Sequence, residues 1–171
     1  MWSYKNHLLA LAACCVVGAC GFHLRGESTL PFSTLYVAMP TENSLMGAEL
    51  KRAIISGSKT QIVDKPADAQ AVLQVLAEQR EKVILSLSAA GRVSEYTLRY
   101  RFIFRVHDGK GHDFIPQNEI ALIREMTYSD AQVLAKEVEE QTLYRDMQHD
   151  MVQQVMRRLS VAKLEKKDEG T

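Results

Sequence analysis

Tyr96-Thr97-Leu98-Arg99-Tyr100-Arg101-Phe102-Ile103-Phe104-Arg105-Val106 is the stretch on which the fold turns. Tyr96, Leu98, Tyr100, Phe102, Phe104 and Val106 fall on one side of an extended chain. Thr97, Arg99, Arg101, Ile103 and Arg105 fall on the other. Side chains alternate between the two faces of a strand, so this near-strict period of two predicts a sheet with one buried, aromatic face. The other face carries arginines. Asp108-Gly109-Lys110-Gly111 has the residues a hairpin turn needs. Residues 114–128 then read as the return strand, with Pro116 near its start, where a missing N–H is tolerable.

Upstream, residues 71–89 are also strand-like. Leu73, Val75 and Ala77 alternate with polar residues, as do Val83, Leu85 and Leu87. Gln79 to Lys82, between the two runs, reads as a bend or bulge, and Ala89-Ala90-Gly91-Arg92 as the next turn. Leu35 to Ala38 reads as a short strand ended by Pro40, and Gln61 to Val63 as a strand fragment. Between them, Leu45, Met46, Ala48, Leu50, Ala53, Ile54 and Ile55 approach helical spacing. Thr41 or Asn43 would cap this helix, Gly57 would stop it, and Lys51 and Arg52 would suit its C-terminal dipole. A second helix starts at Asp130 in two sections. The later one places Leu143 or Tyr144, Met147, Met151, Val155 and Leu159 in an apolar stripe at i, i+4 spacing, and Arg157 and Arg158 lie near its end. The expected fold is α+β, a two-layer sandwich: two helices on one face of a mostly antiparallel four-stranded sheet. The domain spans residues 33–161. Residues 20–32 form an arm before it, and 162–171 a charged tail expected to be disordered.

The chain has 171 residues with 21 basic and 21 acidic ones, a formal charge of zero. Nucleic-acid binding would need a concentrated basic surface, and none is expected. The start is different in kind. Lys5 gives a short positive region, and an apolar run follows from Leu8 to Ala19. At ~1.5 Å per residue a dozen residues fall short of a ~30 Å bilayer core, so the run fits a secretory leader, residues 1–19. Val17-Gly18-Ala19-Cys20 resembles the lipobox of bacterial lipoproteins. That resemblance implies cleavage before Cys20, a diacylglycerol on its thiol and an acyl group on its new amine. Leu11-Ala12-Ala13-Cys14 also matches locally, but with little apolar sequence before it and more after it. Cleavage before Cys20 removes Cys14 and Cys15, so no disulfide framework is expected. By the same resemblance, Asp after the Cys would retain a lipoprotein at the inner membrane, so Gly21 implies export to the outer one.

A search for catalytic chemistry finds none. His107, His112 and His149 have no Cys or carboxylate at metal-ligand spacing. His112-Asp113 beside a turn reads as turn chemistry. There is no phosphate-cradling glycine loop and no Gly-x-Ser-x-Gly elbow. No metal, cofactor or enzymatic activity is expected. Arg99, Arg101 and Arg105 share a strand face, with Arg92 in the preceding turn and Arg124 on the return strand. They are open to two readings: a solvated face, or contact with an anionic lipid or a polar protein wall. Lys136, near the start of the second helix, reads as solvent-facing or as a phosphate contact.

Cys20-Gly21-Phe22-His23-Leu24-Arg25 is more specific than a lipobox. It resembles the opening of the lipopolysaccharide-assembly lipoproteins of the LptE family. Gly47-Ala48-Glu49-Leu50-Lys51-Arg52, Ser94-Glu95-Tyr96, Leu134-Ala135-Lys136 and Arg157-Arg158-Leu159 follow in the family's order. The resemblance implies a non-enzymatic lipoprotein anchored on the periplasmic side of the outer membrane. Its partners would be the β-barrel LptD, as a heterodimer that it plugs and helps assemble, and lipopolysaccharide, delivered to the outer leaflet. By that reading Arg92 and Lys136 would contact lipopolysaccharide, and Arg99, Arg101 and Arg105 the barrel lumen. A periplasm-facing carrier lipoprotein, holding a lipid between helices and sheet, is the alternative from another class.

Overall fold

The aromatic strand is the middle one of three long antiparallel strands. In the computed structural model, which describes residues 30–162 except Glu42, it is β4, Val93–His107. It pairs antiparallel with β3, Ala71–Leu87, on one side and with β5, Asp113–Thr127, on the other. Before them come β1, Thr34–Ala38, helix α1, Leu45–Gly57, and the short β2, Gln61–Ile62. Helix α2, Val133–Ser160, closes the chain. Short 3-10 turns precede β3, at Pro66–Asp68, and α2, at Asp130–Gln132.

The sheet has five strands in the order β2-β1-β3-β4-β5. This corrects the expected four-stranded, mostly antiparallel sheet: β1 pairs parallel with both β2 and β3. The reason is topological. β1 returns to the sheet through α1, and a crossover helix brings the next strand back parallel. The α+β class holds, with both helices packed over the aromatic face of β4. Leu98, Tyr100, Phe102, Phe104 and Val106 are fully buried, as are Met46, Leu50 and Ile54 of α1 and Met147, Met151, Val155 and Leu159 of α2. The i, i+4 stripe of the second helix is therefore its buried face, and its two sections form one uninterrupted helix.

The ends of α1 differ from expectation. Its cap is Ser44, whose Oγ accepts from the Gly47 N–H at 3.3 Å. Asn43, a candidate cap, instead takes a left-handed turn at φ 64°. Leu45 and Ile55 are exposed, and no basic residue lies in the last turn, so Lys51 and Arg52 sit too early to meet the C-terminal carbonyls. The Ser44 hydroxyl also donates to Glu78 on β3 at 3.1 Å, so it joins helix to sheet as well as capping it. Ser44→Ala is expected to cost about 1 kcal/mol of stability. Denaturant titration measures this, and a change below a few tenths would deny the cap its role.

The hairpin turn forms as its residues require. Asp108 Oδ1 accepts from the backbone N–H of Lys110 at 2.7 Å and of His112 at 3.1 Å, while Gly109 and Gly111 take positive φ. Those two N–H groups hold the Asp108 carboxyl below its usual range. Pro116 sits where the β4–β5 register shifts, between the pairs Phe104↔Asn118 and Val106↔Ile115. A bulge on an edge strand accommodates its missing N–H.

β3 departs most from expectation. Its irregularities fall at Val75/Ala77 and after Ile84, and Gln79 to Lys82 pair regularly with β4. The first shift changes parity. Val75 faces the helices opposite Phe104, but beyond the bulge Glu78, Arg80, Lys82 and Ile84 face them, opposite Phe102, Tyr100, Leu98 and Tyr96. Val83 lies opposite Thr97, on the far face. β1 covers β3 only from Ala71 to Gln74. Beyond it, an open cleft of about 530 Å³ separates Pro40, Thr41 and Ser44 from Leu76 to Arg80.

Candidate interaction surfaces

Three regions carry the polar chemistry of the domain. The first is a network between the helices and the sheet that the sequence reading missed. Arg80 reaches up from β3 and lies 4.6 Å from the centre of the Tyr100 ring and 5.6 Å from that of Tyr144. It donates to the Tyr100 hydroxyl at 3.2 Å and to Gln148 Oε1 at 2.6 Å. The Tyr100 hydroxyl donates in turn to Glu78 at 2.7 Å. Gln148 donates to Glu49 of α1. Burial pushes the Tyr100 phenol well above its usual range; Arg80 opposes this and Glu78 adds to it. Lys82 lies 4.2 Å from the Tyr96 ring centre and pairs with Glu140 of α2. The Tyr144 hydroxyl donates to the Glu81 carbonyl at 2.7 Å. The network joins α1, β3, β4 and α2 and leaves its interior polar atoms satisfied, which makes it a structural latch. The signal for it lay in Glu78, Arg80 and Lys82, but only the bulge at Leu76 turns those positions inward.

The second region is the sheet face away from the helices. Arg99, Arg101 and Arg105 lie on it, as the alternation implied. They do not make it basic. Glu81 stands directly opposite Arg99, Glu119 lies 3.4 Å from Arg101 Nε, and Arg105 Nε donates to Gln74 at 2.7 Å. Glu125 lies on the same face, opposite Thr97. The face is thus a charge-balanced lattice rather than an anion platform. Arg124 is not part of it: it faces the helices and holds Asp150 of α2 at 2.8 Å.

The third region is the end of the sheet formed by the β3–β4 turn and the start of α2. Here the structure gathers Arg92 and Lys136. The Tyr128 N–H donates to the Ser94 carbonyl at 2.7 Å, joining the two chain segments that carry them. Arg92 is largely exposed and lies 3.9 Å from Asp130. Lys136 differs from a solvent-facing lysine. Its side chain is only 14% exposed, and its ammonium donates to Thr127 Oγ1 at 3.0 Å and to Glu139 at 2.8 Å. Around them, Ile84, Leu85 and Leu87 of β3 and Leu134 and Val138 of α2 expose large apolar side chains. Cations and exposed apolar groups at one end of the sheet suit an amphiphile with anionic and hydrocarbon parts, or a protein wall.

Among the described residues, no group of His, Cys, Asp and Glu could hold a metal ion, and no helix is long and apolar enough to cross a membrane. Cys20, residues 1–19 and the tail beyond Ala162 lie outside the described residues.

Comparison with known proteins adds a second line. The family model described as LptE, lipopolysaccharide-assembly, matches residues 32–159. The solution structure of lipoprotein B from Nitrosomonas europaea superposes with a TM-score of 0.71 at 41% identity, covering 82% of this chain and 90% of that one. Rare lipoprotein B from Shewanella oneidensis gives 0.63 at 23% identity, with 74% and 93% covered. A minor lipoprotein from Acinetobacter baumannii gives 0.63 at 24% identity, with 77% and 92% covered. The last two show the fold alone. No curated protein matches the chain.

Proposed function

Because the chain belongs to the LptE family of lipopolysaccharide-assembly lipoproteins, which places it in the cell envelope with a part in lipopolysaccharide assembly, we propose that it is a lipid-anchored plug of the β-barrel LptD. In this role it helps the barrel assemble and takes part in moving lipopolysaccharide into the outer leaflet. The family is non-enzymatic, and the chain works through binding alone. A leader spanning 1–19 is cut before Cys20, which carries the acyl groups and holds the domain on the periplasmic side of the outer membrane.

The observation that carries this reading is the family match over 32–159, which takes in all the strands of the described residues, the first helix and all but the last residue of the second. The surfaces support it. A barrel lumen is polar. A charge-balanced face, on which Arg101 pairs with Glu119 and Glu81 stands opposite Arg99, can exchange partners with such a wall without burying a lone charge. Exposed ion pairs contribute little to stability, so redirecting them costs little. Arg99, Arg101 and Arg105 are accordingly assigned to the wall. Arg92 and Lys136 are assigned to lipopolysaccharide, whose phosphates they would meet beside the apolar side chains of the same end. Each must trade a carboxylate for the ligand, Arg92 the more distant, exposed Asp130 and Lys136 the closer Glu139.

The carrier alternative needs room for hydrocarbon between helices and sheet. That space is filled by Tyr100, Phe102, Phe104, Leu50, Met147 and Met151, all fully buried. The assignment of the cations is tested by the pair Arg92→Glu and Lys136→Glu. Lipopolysaccharide binding is expected to weaken roughly tenfold or more, the equivalent of about 1.4 kcal/mol. Barrel association should persist, and a thermal melt of the variant checks its fold. Unchanged binding would remove both residues from the site.

A further inference from the structure

The end of the domain opposite Arg92 and Lys136 carries a groove of about 520 Å³ between the start of β5 and the end of α2. Phe114, Ile115, Pro116, Val161 and Ala162 give it apolar walls, and Asn118 and Arg158 complete the lining. The Arg158 guanidinium is held by the Glu119 carbonyl at 3.0 Å, so its aliphatic stem lies as a fixed part of the lining. Val161 is 74% exposed. We propose that this groove is the seat of the chain's own N-terminal arm, filled by Phe22 and Leu24.

Three observations point to that occupant. The chain that leads out of the arm enters the domain at this end: Leu30 and Phe32 are buried, and the Phe32 ring lies 5.3 Å from that of Phe114, a wall of the groove. The arm has the right reach, since the six residues from Leu24 to Leu30 span at most roughly 20 Å. It also has the right pattern. In residues 21–29, Phe22 and Leu24 are the large apolar side chains in otherwise polar or glycine sequence. Two apart, they would share one side of an extended chain and leave His23 and Arg25 to the other. The C-terminal tail also leaves from this end, but Leu164 is its one large apolar residue against eight others that are charged, polar or glycine.

Seating Phe22 leaves only Gly21 between the groove and Cys20. Where Cys20 is the lipid anchor, as the proposed function holds, the β4–β5 turn end of the domain is then pinned at the bilayer surface. The Arg92 and Lys136 end is carried away from the anchor by the 15 residues of β4, about 50 Å at ~3.3 Å each. The seating itself does not depend on the barrel or on lipopolysaccharide.

The test replaces Phe22 by the photo-crosslinking residue p-benzoylphenylalanine in the full chain, irradiates intact membranes and maps the products by mass spectrometry. An intrachain crosslink to Phe114–Asn118 or Arg158–Ala162 is expected. It should fall several-fold in Val161→Asp and persist in Leu134→Asp, an equally exposed apolar position at the far end. Crosslinks only to lipid, to another protein or to the tail would overturn the proposal, as would a groove crosslink indifferent to Val161→Asp. Barrel recovery from the same membranes reads the plug hypothesis separately, so either idea can fail while the other stands.

Discussion

Phe102→Ala is expected to lower the unfolding free energy by about 3–5 kcal/mol. Phe102 sits at the centre of β4, fully buried, with its ring 5.8 Å from that of Phe104 and with both helices above it. Truncation removes a large apolar side chain and leaves a cavity whose walls come from three elements. Helices and sheet would all have to move to close it, so little of the loss is recovered. In a domain of this size the thermal midpoint should fall by roughly 10–20 °C. Ile123→Ala, on the exposed face of the neighbouring strand, should stay within about 0.5 kcal/mol. Denaturant midpoints of the two variants compare the faces directly. A loss below about 1 kcal/mol for Phe102→Ala would contradict the assignment of the core to this face.

Cys20→Ser is expected to remove the chain from the outer membrane. The hydroxyl that replaces the thiol is a far weaker nucleophile near neutral pH, so the diacylglycerol is not added, and the leader, whose removal follows that step by the lipobox resemblance, is not cut. The magnitude comes from hydrocarbon burial. Each CH₂ placed in the bilayer contributes ~0.8 kcal/mol; one chain alone binds marginally, and further chains make attachment stable. No helix among the described residues could substitute for that anchor. Fractionation of the envelope with mass spectrometry of the N-terminus checks both consequences. An acylated mature terminus at Cys20 is expected for the natural chain, and an uncleaved, unacylated precursor for the variant. Normal amounts of the Ser variant in the outer membrane would refute the anchor.

The period-two stretch at Tyr96–Val106 and the i, i+4 stripe ending at Leu159 were legible because each belongs to an element with one buried face along its length. β3 was legible only in part. Its apolar runs at Leu73–Ala77 and Val83–Leu87 look alike in sequence, yet a bulge at Leu76, within the first, reverses parity and the second run projects past the helices. A bulge is set by pairing with β4, which single-strand alternation does not encode. The parallel pairing of β1 was hidden for a similar reason, since five residues give no sign of which neighbour they join. The basic positions show the same limit. That Arg99, Arg101 and Arg105 share a face follows from alternation. That Glu81, Glu119 and Glu125 share the face with them, and that Arg124 lies opposite buried Leu98 and so turns to the helices, follow from register. Lys136 was readable as a cation near a helix start, but not as one held by Thr127 across a turn.

The plug role is tested most directly by affinity recovery of this chain from envelopes solubilised in mild detergent. The expected result is an equimolar complex with one large outer-membrane β-barrel, stable through washing. Recovery of the chain only as a free monomer, from membranes in which that barrel is abundant and folded, would contradict the account.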